Sequence, residues 1–387
     1  MYYRGALERR GLGIDLGSRM AKVLLARQVA NRVNVDSAAM FTFNASWTQD
    51  GIVKEPKLLG RLVAEQLKAN GIANPFAVFS VPSQLATLRW VTLPKLSGDE
   101  LREAARYKVK RHLPYPVDLA YVEATPPAVD EGQSQGQSLV IVVKKSVVDS
   151  RAEVLEHAGI VPISAELEAQ AILRIVERKL NEKGALWRDA SVTIIDMGST
   201  NTHMYVVQNR QLQFMRGIRF GSERIARSVA TETGLPYEEV EQAIGREGAE
   251  LSPDGMLSIA LDGDIVLANV KQDLDKLTVE FLRLLRYFRS LHPERSYAGI
   301  LDHMIVCGGL AGLRGFAEYL HEALGLRVER AKPFSGMVGR FKRETFESIV
   351  NRQEAFTVVL GLALSNLESE ASDRSSERVA RDFVWSR

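Results

Sequence analysis

The sequence predicts an α/β protein of two related domains, and three observations carry that reading. A strand, a glycine turn and a second strand occur near the N-terminus in "GLGIDLGSRMAKVLLARQ" and again about half a chain later in "IIDMGSTNTHMYVV". A further glycine turn follows a strand over His303–Cys307, where Gly308-Gly309 runs into a helical segment. Between these landmarks, strand and helix signals alternate with no low-complexity block, the pattern of a sheet covered by helices.

The two hairpins carry the chemistry. In each, a short apolar run (Leu12 to Ile14; Val192 to Ile195) ends in Asp-x-Gly-Ser, and a second apolar run follows (Val23 to Ala26; Met204 to Val207). Such a turn presents backbone N–H groups and hydroxyls at a tight bend, suited to a phosphate chain, while the Asp can hold Mg²⁺ through water. An ordinary hairpin turn uses the same residue types, so one copy decides little. Two copies in the same frame suggest related domains facing each other across a nucleotide. The Gly308-Gly309 turn lets a ligand approach the backbone at a helix start, although it lacks the full dinucleotide-binding spacing.

Composition narrows the function classes. A chain of 387 residues with 45% hydrophobic and 25% charged residues is long enough for two cores and reads as globular. A formal net charge of +2 provides no global attraction to nucleic acid. Cys307 is the single cysteine, which excludes a disulfide framework, and the six histidines show no zinc-ligand spacing. "MYYRGALERRG" lacks a signal-peptide core, and no run approaches the roughly 18 apolar residues of a membrane span. The expectation is a cytoplasmic protein that reaches a membrane only through a partner or a surface helix.

Along the chain, Leu58, Leu59, Leu62, Val63 and Leu67 fall at helical spacing within Pro56 to Ala69, and "FAVFSVP" reads as a buried strand. Ser97 and Glu100 form a capping box ahead of a helix with Leu101, Ala104, Ala105 and Val109 on one side, stopped by Pro114 and Pro116. Arg102, Arg106, Lys108, Lys110 and Arg111 crowd that helix; a solvated face or a phosphate or lipid surface fits. "DEGQSQGQS" reads as a loop before the strand "LVIVVKK", which makes residues 83–165 a small α/β insertion. "AELEAQAILRIVERKL" reads as a helix joining the halves. In "KQDLDKLTVEFLRLLRYFRS", Leu274, Leu277, Phe281, Leu284 and Phe288 predict a core-packed face.

Taken together, "IDLGSRMAKV", "IIDMGSTNTHMYV" and "IVCGGLAGLRG" resemble the two phosphate hairpins and the adenosine turn of the actin-like ATPase superfamily, a ribonuclease H-like fold. Within it, the chain is most similar to the type IV pilus assembly family PilM, over roughly residues 10–365, including "RHLPYPVD", "LEHAGIVPISAELEAQAI" and "AFTVVLGLAL". The insertion is placed as in the cell-division family FtsA. The resemblance implies a first core subdomain over 1–82 and 335–366, the inserted subdomain over 83–165, a second domain over 166–334 and a polar tail over 367–387. It implies ATP with Mg²⁺ as ligand: Asp15 and Asp196 at the metal, Gly17, Ser18 and Arg19 around one side of the phosphates with Lys22 at the far end of that hairpin in the same cofactor site, and Gly198, Ser199, Thr200 and Asn201 around the other. Gly308, Gly309 and Leu310, with Arg314 nearby, would lie along the adenosine. Glu238 matches the acidic ribose contact of a Glu-x-x-Lys pattern, whereas Glu241 stands where the Lys is usual.

A water-activating residue is expected on the helix linking the halves, where Glu166, Glu168 and Gln170 are available, with hydrolysis slow or absent. By resemblance, the function is a cytoplasmic ATP-binding scaffold of pilus or related secretion assembly. Its partner would be the short cytoplasmic N-terminal peptide of a PilN-like inner-membrane protein, held in a groove between the first domain's main body and its insertion. No nucleic acid and no direct membrane span are expected, and homo-oligomers are compatible. The alternative is an FtsA-like membrane-associated or filament-forming ATPase. Val379, Phe383, Val384 and Trp385 in the tail give too small an apolar face for stable anchoring.

Overall fold

The computed structural model describes residues 8–30, 32–129, 132–182, 191–208, 211–246, 248–291, 303–337 and 349–372. The tail residues Val379, Phe383, Val384 and Trp385 lie outside them, as do Asp130 and Glu131 of the glutamine-rich loop. The chain divides into two units. The first takes the described residues of Met1–Ala171, Met337–Arg340 and Val359–Arg387, the second those of Ile172–Gly336 and Phe341–Val358.

In the first unit, β1 (Glu8–Leu16), β2 (Met20–Val29) and β3 (Arg32–Thr42) form an antiparallel meander. A small hairpin, β4 (Thr48–Gln49) and β5 (Ile52–Val53), leads to α1 (Pro56–Ala69). Then β6 (Phe76–Val81) pairs parallel with β1. Leu59, Val63 and Leu67 are the buried stripe of α1, while Leu58 stays 41% exposed, one position off that stripe.

The chain next builds a separate three-stranded sheet from β7 (Ala86–Pro94), β8 (Ala120–Ala124) and β9 (Gln135–Lys144), in the order β7-β9-β8. α2 (Gly98–Val109) covers one face of it. Leu101, Ala105 and Val109 pack there on Leu93, Val122, Val140 and Val142. Ser97 occupies the N-cap of α2 as its sequence predicts, but its side chain makes no capping bond. The Gln135–Ser138 part of the expected loop is strand, because Ser138 and Leu139 bond Thr125 across the sheet.

α3 (Lys145–His157) returns the chain to the main body, packing on α1 where Gly60 lies against Val154 and His157. β10 (Val161–Leu167) then pairs parallel with β6 and completes the order β10-β6-β1-β2-β3. A boundary at 165/166 therefore falls inside a strand of the first sheet, and the helix α4 (Glu168–Glu182) starts after it.

The second unit repeats this plan. β11 (Val192–Met197), β12 (Thr202–Gln208) and β13 (Gln211–Ile218) form a meander. α5 (Ser222–Thr233) and α6 (Tyr237–Ile244) follow, then the small sheet β14 (Glu250–Leu251), β15 (Met256–Leu261) and β16 (Asp264–Asn269) and the long α7 (Lys271–Ser290). β17 (His303–Cys307), α8 (Phe316–Leu324) and β18 (Val328–Arg330) finish the sheet in the order β13-β12-β11-β17-β18. Strand for strand this is the first unit's sheet: a meander whose first strand is extended by two parallel strands. α7 buries Leu274, Leu277, Phe281, Leu285 and Phe288 in this unit's core, the face its spacing predicts, with Leu284 partly buried beside them.

Finally α9 (Thr357–Ser372) lies on β1. Its approach is set by glycine: a Cβ on Gly13 would stand 2.3 Å from the Val359 carbonyl oxygen and 2.7 Å from the Ala363 nitrogen. Backbone atoms cannot yield as a side-chain tip does. Gly13→Ala is therefore expected to destabilise the fold by about 3 kcal/mol, the upper range for overpacking. Gly309→Ala, at an open position with an ordinary φ of −62°, should cost far less. Urea unfolding of the two variants against the parent checks this; equal midpoints would remove the close contact from the account.

Candidate functional site

Both hairpins turn in the same way. In the first unit, the Gly17 N–H donates to the Met20 carbonyl at 3.0 Å; in the second, the Gly198 N–H donates to the Asn201 carbonyl at 3.0 Å. A Cβ at either glycine would crowd that same carbonyl, at 2.8 Å and 2.9 Å. Glycine is thus required by the closed turn itself.

Asp15 is buried at the end of β1 and is fully engaged. Lys22, its cross-strand partner, donates to Oδ2 at 2.9 Å, and Ser80 of β6 donates to Oδ1 at 2.8 Å. The Ser80 hydroxyl also accepts the Leu16 N–H at 3.1 Å, so it ties the carboxylate to the start of the turn. Lys22 thus reaches the aspartate from the far side of the hairpin. Ser18 and Arg19 shape the turn through their carbonyls, which accept from Thr48 Oγ1 at 3.2 Å and the Phe43 N–H at 3.1 Å.

Asp196 occupies the equivalent place, with His203 opposite it in the β11–β12 register. The third turn closes on it. Gly308, at φ +88°, leaves so little room that a Cβ would lie 2.7 Å from Asp196 Oδ1 and 2.4 Å from the Met197 carbonyl oxygen. The second hairpin also docks on α5, whose Ser222 and Glu223 N–H groups donate to the Gly198 and Ser199 carbonyls at 3.2 Å and 2.9 Å. Gly221 permits that contact, since a Cβ there would meet the Ser199 oxygen at 2.1 Å. Ser199 Oγ is buried without a hydrogen-bond partner among the described residues, while the Asn201 amide donates to Thr200 Oγ1 at 3.0 Å.

The third turn is braced from behind. The Gly308 N–H donates to the Glu354 carbonyl at 3.0 Å. Arg330 pairs with the Glu354 carboxylate at 2.9 Å and donates to the Gly312 carbonyl at 3.3 Å. Burial pushes the Glu354 carboxyl above its ordinary pKa, against the pull of Arg330. Leu310 is buried in the core, so only its backbone is free to line a ligand. Arg314 is exposed and lies 3.7 Å from Glu250.

The other predicted residues have the following surroundings. Glu166 lies on β10, ahead of the helix, wholly buried and accepting the Ser365 hydroxyl, a setting that keeps water away. Glu168 opens α4 and accepts the Ser83 N–H at 3.1 Å. Gln170 caps the Leu167 N–H at 2.8 Å. Glu238 is exposed on α6, and Glu241 accepts the Tyr237 hydroxyl at 2.9 Å one turn away. A pocket of about 620 Å³ beside Thr200 is lined by Arg219, Arg224, Arg227, Glu223, Glu232 and Asp273. Its three cations face three carboxylates, so it offers no net attraction to an anion.

Some residues escaped the sequence reading. His203 had a signal, for it stands as far after Asp196 as Lys22 stands after Asp15. Ser80, Glu354 and Arg151 had none, since each comes from a distant element. Arg151 of α3 is buried, donates to the Val147 carbonyl at 3.1 Å and to the Gly51 carbonyl, and leaves Nε unpaired. Burial lowers its pKa to about 10, opposed by the nearby charges of Glu168 and Asp15.

A family model described as type IV pilus assembly protein PilM matches residues 13–367. The chain belongs to that family. Among solved structures it is similar to a chain of the "PilM-PilN type IV pilus biogenesis complex", at 23% identity and a TM-score of 0.75, over 92% of this chain and 98% of that one. It is also similar to ethanolamine utilization protein EutJ from Carboxydothermus hydrogenoformans (14%, TM-score 0.51, 92% and 89% covered). MreB 5 of Spiroplasma citri bound to AMPPNP is matched at 12% and a TM-score of 0.52 over 95% and 99%. The fold is accordingly the actin-like two-domain fold that the resemblance implies.

Burial lowers the His203 pKa to about 4, so the imidazole is neutral at physiological pH. Between about 6.5 and 4 the unfolded chain takes up a proton that the folded chain refuses. The resulting stability is full above pH 6.5 and is lost as pH falls through that window, by at most about 3 kcal/mol. His203→Gln should lose less stability than the parent between pH 7 and pH 4 in metal-free thermal unfolding. Parallel losses would mean the histidine is not buried as a neutral group.

Proposed function

We propose that this chain is an ATP-binding scaffold of type IV pilus assembly that works on the cytoplasmic side of the inner membrane and grips the N-terminal tail of a PilN-like membrane protein. The observation that carries the nucleotide part is the pair of matched glycine turns, each with a buried aspartate at its base. The donor set fits the ligand. Asp15 and Asp196 are hard oxygen donors of the kind Mg²⁺ accepts through its waters. Ser199 Oγ is a buried polar atom with no partner among the described residues, as a phosphate-lining hydroxyl would be before its ligand binds. Gly17, Ser18, Arg19, Gly198, Thr200 and Asn201 would line the phosphates, and the backbone of Gly308, Gly309 and Leu310 the adenosine, with Arg314 and Glu238 near its rim. Lys22 would act through Asp15, by holding the carboxylate in one orientation.

The candidate bases are poorly placed for turnover. Glu166 is sealed in the core, which leaves Glu168 as the carboxylate in reach of a water, and its hydrogen bond to Ser83 favours a fixed orientation over proton transfer. A binding protein with slow or no hydrolysis suits this arrangement.

The partner part is supported by family membership and by the complex in which the similar chain occurs. The insertion sheet would supply the surface. β7 is its edge strand, and on the face away from α2 it presents Leu88 and Trp90 beside Leu139, with Trp90 directly opposite Leu139 and 46% exposed. An extended tail added there would gain backbone hydrogen bonds from the edge and side-chain contacts from this strip. No helix among the described residues is long and apolar enough to cross a membrane, so the membrane would be reached through such a tail.

The test is fluorescence anisotropy with a labelled N-terminal peptide of the PilN-like protein. Trp90→Asp should weaken peptide binding by about tenfold or more, as for an aromatic anchor, and leave nucleotide binding unchanged. Undiminished peptide affinity would move the interface elsewhere.

A further inference from the structure

The outer strand of the small sheet in the second unit breaks the usual rules for an edge. Among the described residues, β16 pairs with β15 alone in the order β14-β15-β16. Its residues 264–269, Asp-Ile-Val-Leu-Ala-Asn, contain no Lys, Arg or Pro, the residues that normally blunt an open edge. Ala268 is buried and Val266 partly so, while Ile265 is 73% exposed and Leu267 60%. These are the two most exposed aliphatic side chains among the described residues, and they sit on one face of one strand.

The backbone edge is open as well. The Asn269 N–H leaves the ladder and donates to the Glu232 carboxylate of α5, at 3.0 Å and 3.2 Å. Along an antiparallel strand such outward-pointing groups recur at every second residue. The N–H and C=O of Leu267 and Ile265 therefore also point away from β15.

We propose that β16 pairs antiparallel with β16 of a second copy of this chain, joining the two small sheets into one of six strands. Symmetry fixes the register. A two-fold axis normal to the sheet keeps each side chain on its own face, so opposing residues must be an even number of positions apart. With Val266 on the axis, Ile265 stands opposite Leu267 of the second copy, twice. Each such pair exchanges two backbone hydrogen bonds and covers the exposed aliphatic side chains. With Leu267 on the axis, Ile265 would instead oppose Asn269, whose N–H is already taken by Glu232. The acidic residues stay apart: each Asp264 opposes Ala268, about 13 Å along the strand from the other Asp264 at roughly 3.3 Å per residue. That exceeds the Debye length of about 8 Å at physiological ionic strength. The contact is short, so the dimer is weak and depends on concentration.

Sedimentation velocity on the full chain over a wide micromolar range tests the idea. The parent should pass from monomer to dimer. The Ile265→Lys, Leu267→Lys double variant should stay monomeric, with its dissociation constant raised at least about tenfold by like charges directly opposite one another. Both positions are exposed, so its circular dichroism and unfolding should match the parent. The Ile265→Cys, Leu267→Cys double variant should form a covalent dimer on mild oxidation, Cys307 being buried. A parent that is monomeric throughout overturns the proposal, as does a dimer indifferent to the lysines or one that the cysteines fail to cross-link.

Discussion

Each unit depends on one backbone hydrogen bond, the glycine N–H that closes its turn onto the carbonyl three residues ahead. It fixes the point where the first strand ends and the second begins, and with it the register that sets Lys22 opposite Asp15 and His203 opposite Asp196. Any side chain at Gly17 or Gly198 would collide with that carbonyl. The carboxylates, the hydroxyls beyond them and the strands behind them are all indexed from this turn. Because the closure is backbone to backbone, it survives the difference between the two turn sequences.

What surrounds the two turns differs, and the difference is electrostatic. Asp15 has a cation and a hydroxyl already in place, so burial of its charge is compensated. Asp196 faces a neutral imidazole and a glycine turn that can tolerate no side chain. The first aspartate is thus held by two side chains, and the second lies against the Cys307 thiol and the glycine turn. Behind the third turn, the Glu354–Arg330 pair clamps both ends of the glycine segment, which lets a stretch without side chains keep a single shape.

Much of this could be read from the sequence because it is local or repeated. The hairpins, the stripe on α1 and the buried face of α7 follow from spacing alone, and the repeated turn motif marked a repeated sheet. Long-range placement could not be read. Ser80 reaches Asp15 from β6, and Glu354 reaches Gly308 from beyond α8, with no pattern in the chain to announce either contact. Glu166 looked like a helix residue because Glu168 and the residues after it are helical, yet pairing with β6 extends the strand through Leu167 and buries the carboxylate. The Ser97 capping pattern was present, and its bond was not formed.

The central proposal is that Mg·ATP binding by this scaffold depends on both turn aspartates, Asp15 and Asp196. Isothermal titration of Mg·ATP into the full chain, beside Asp15→Ala and Asp196→Ala, tests it most directly. The account predicts saturable, Mg²⁺-dependent binding by the parent and its loss in both variants while circular dichroism stays that of a folded chain. Absence of binding by the parent, or unchanged affinity in both variants, would contradict it.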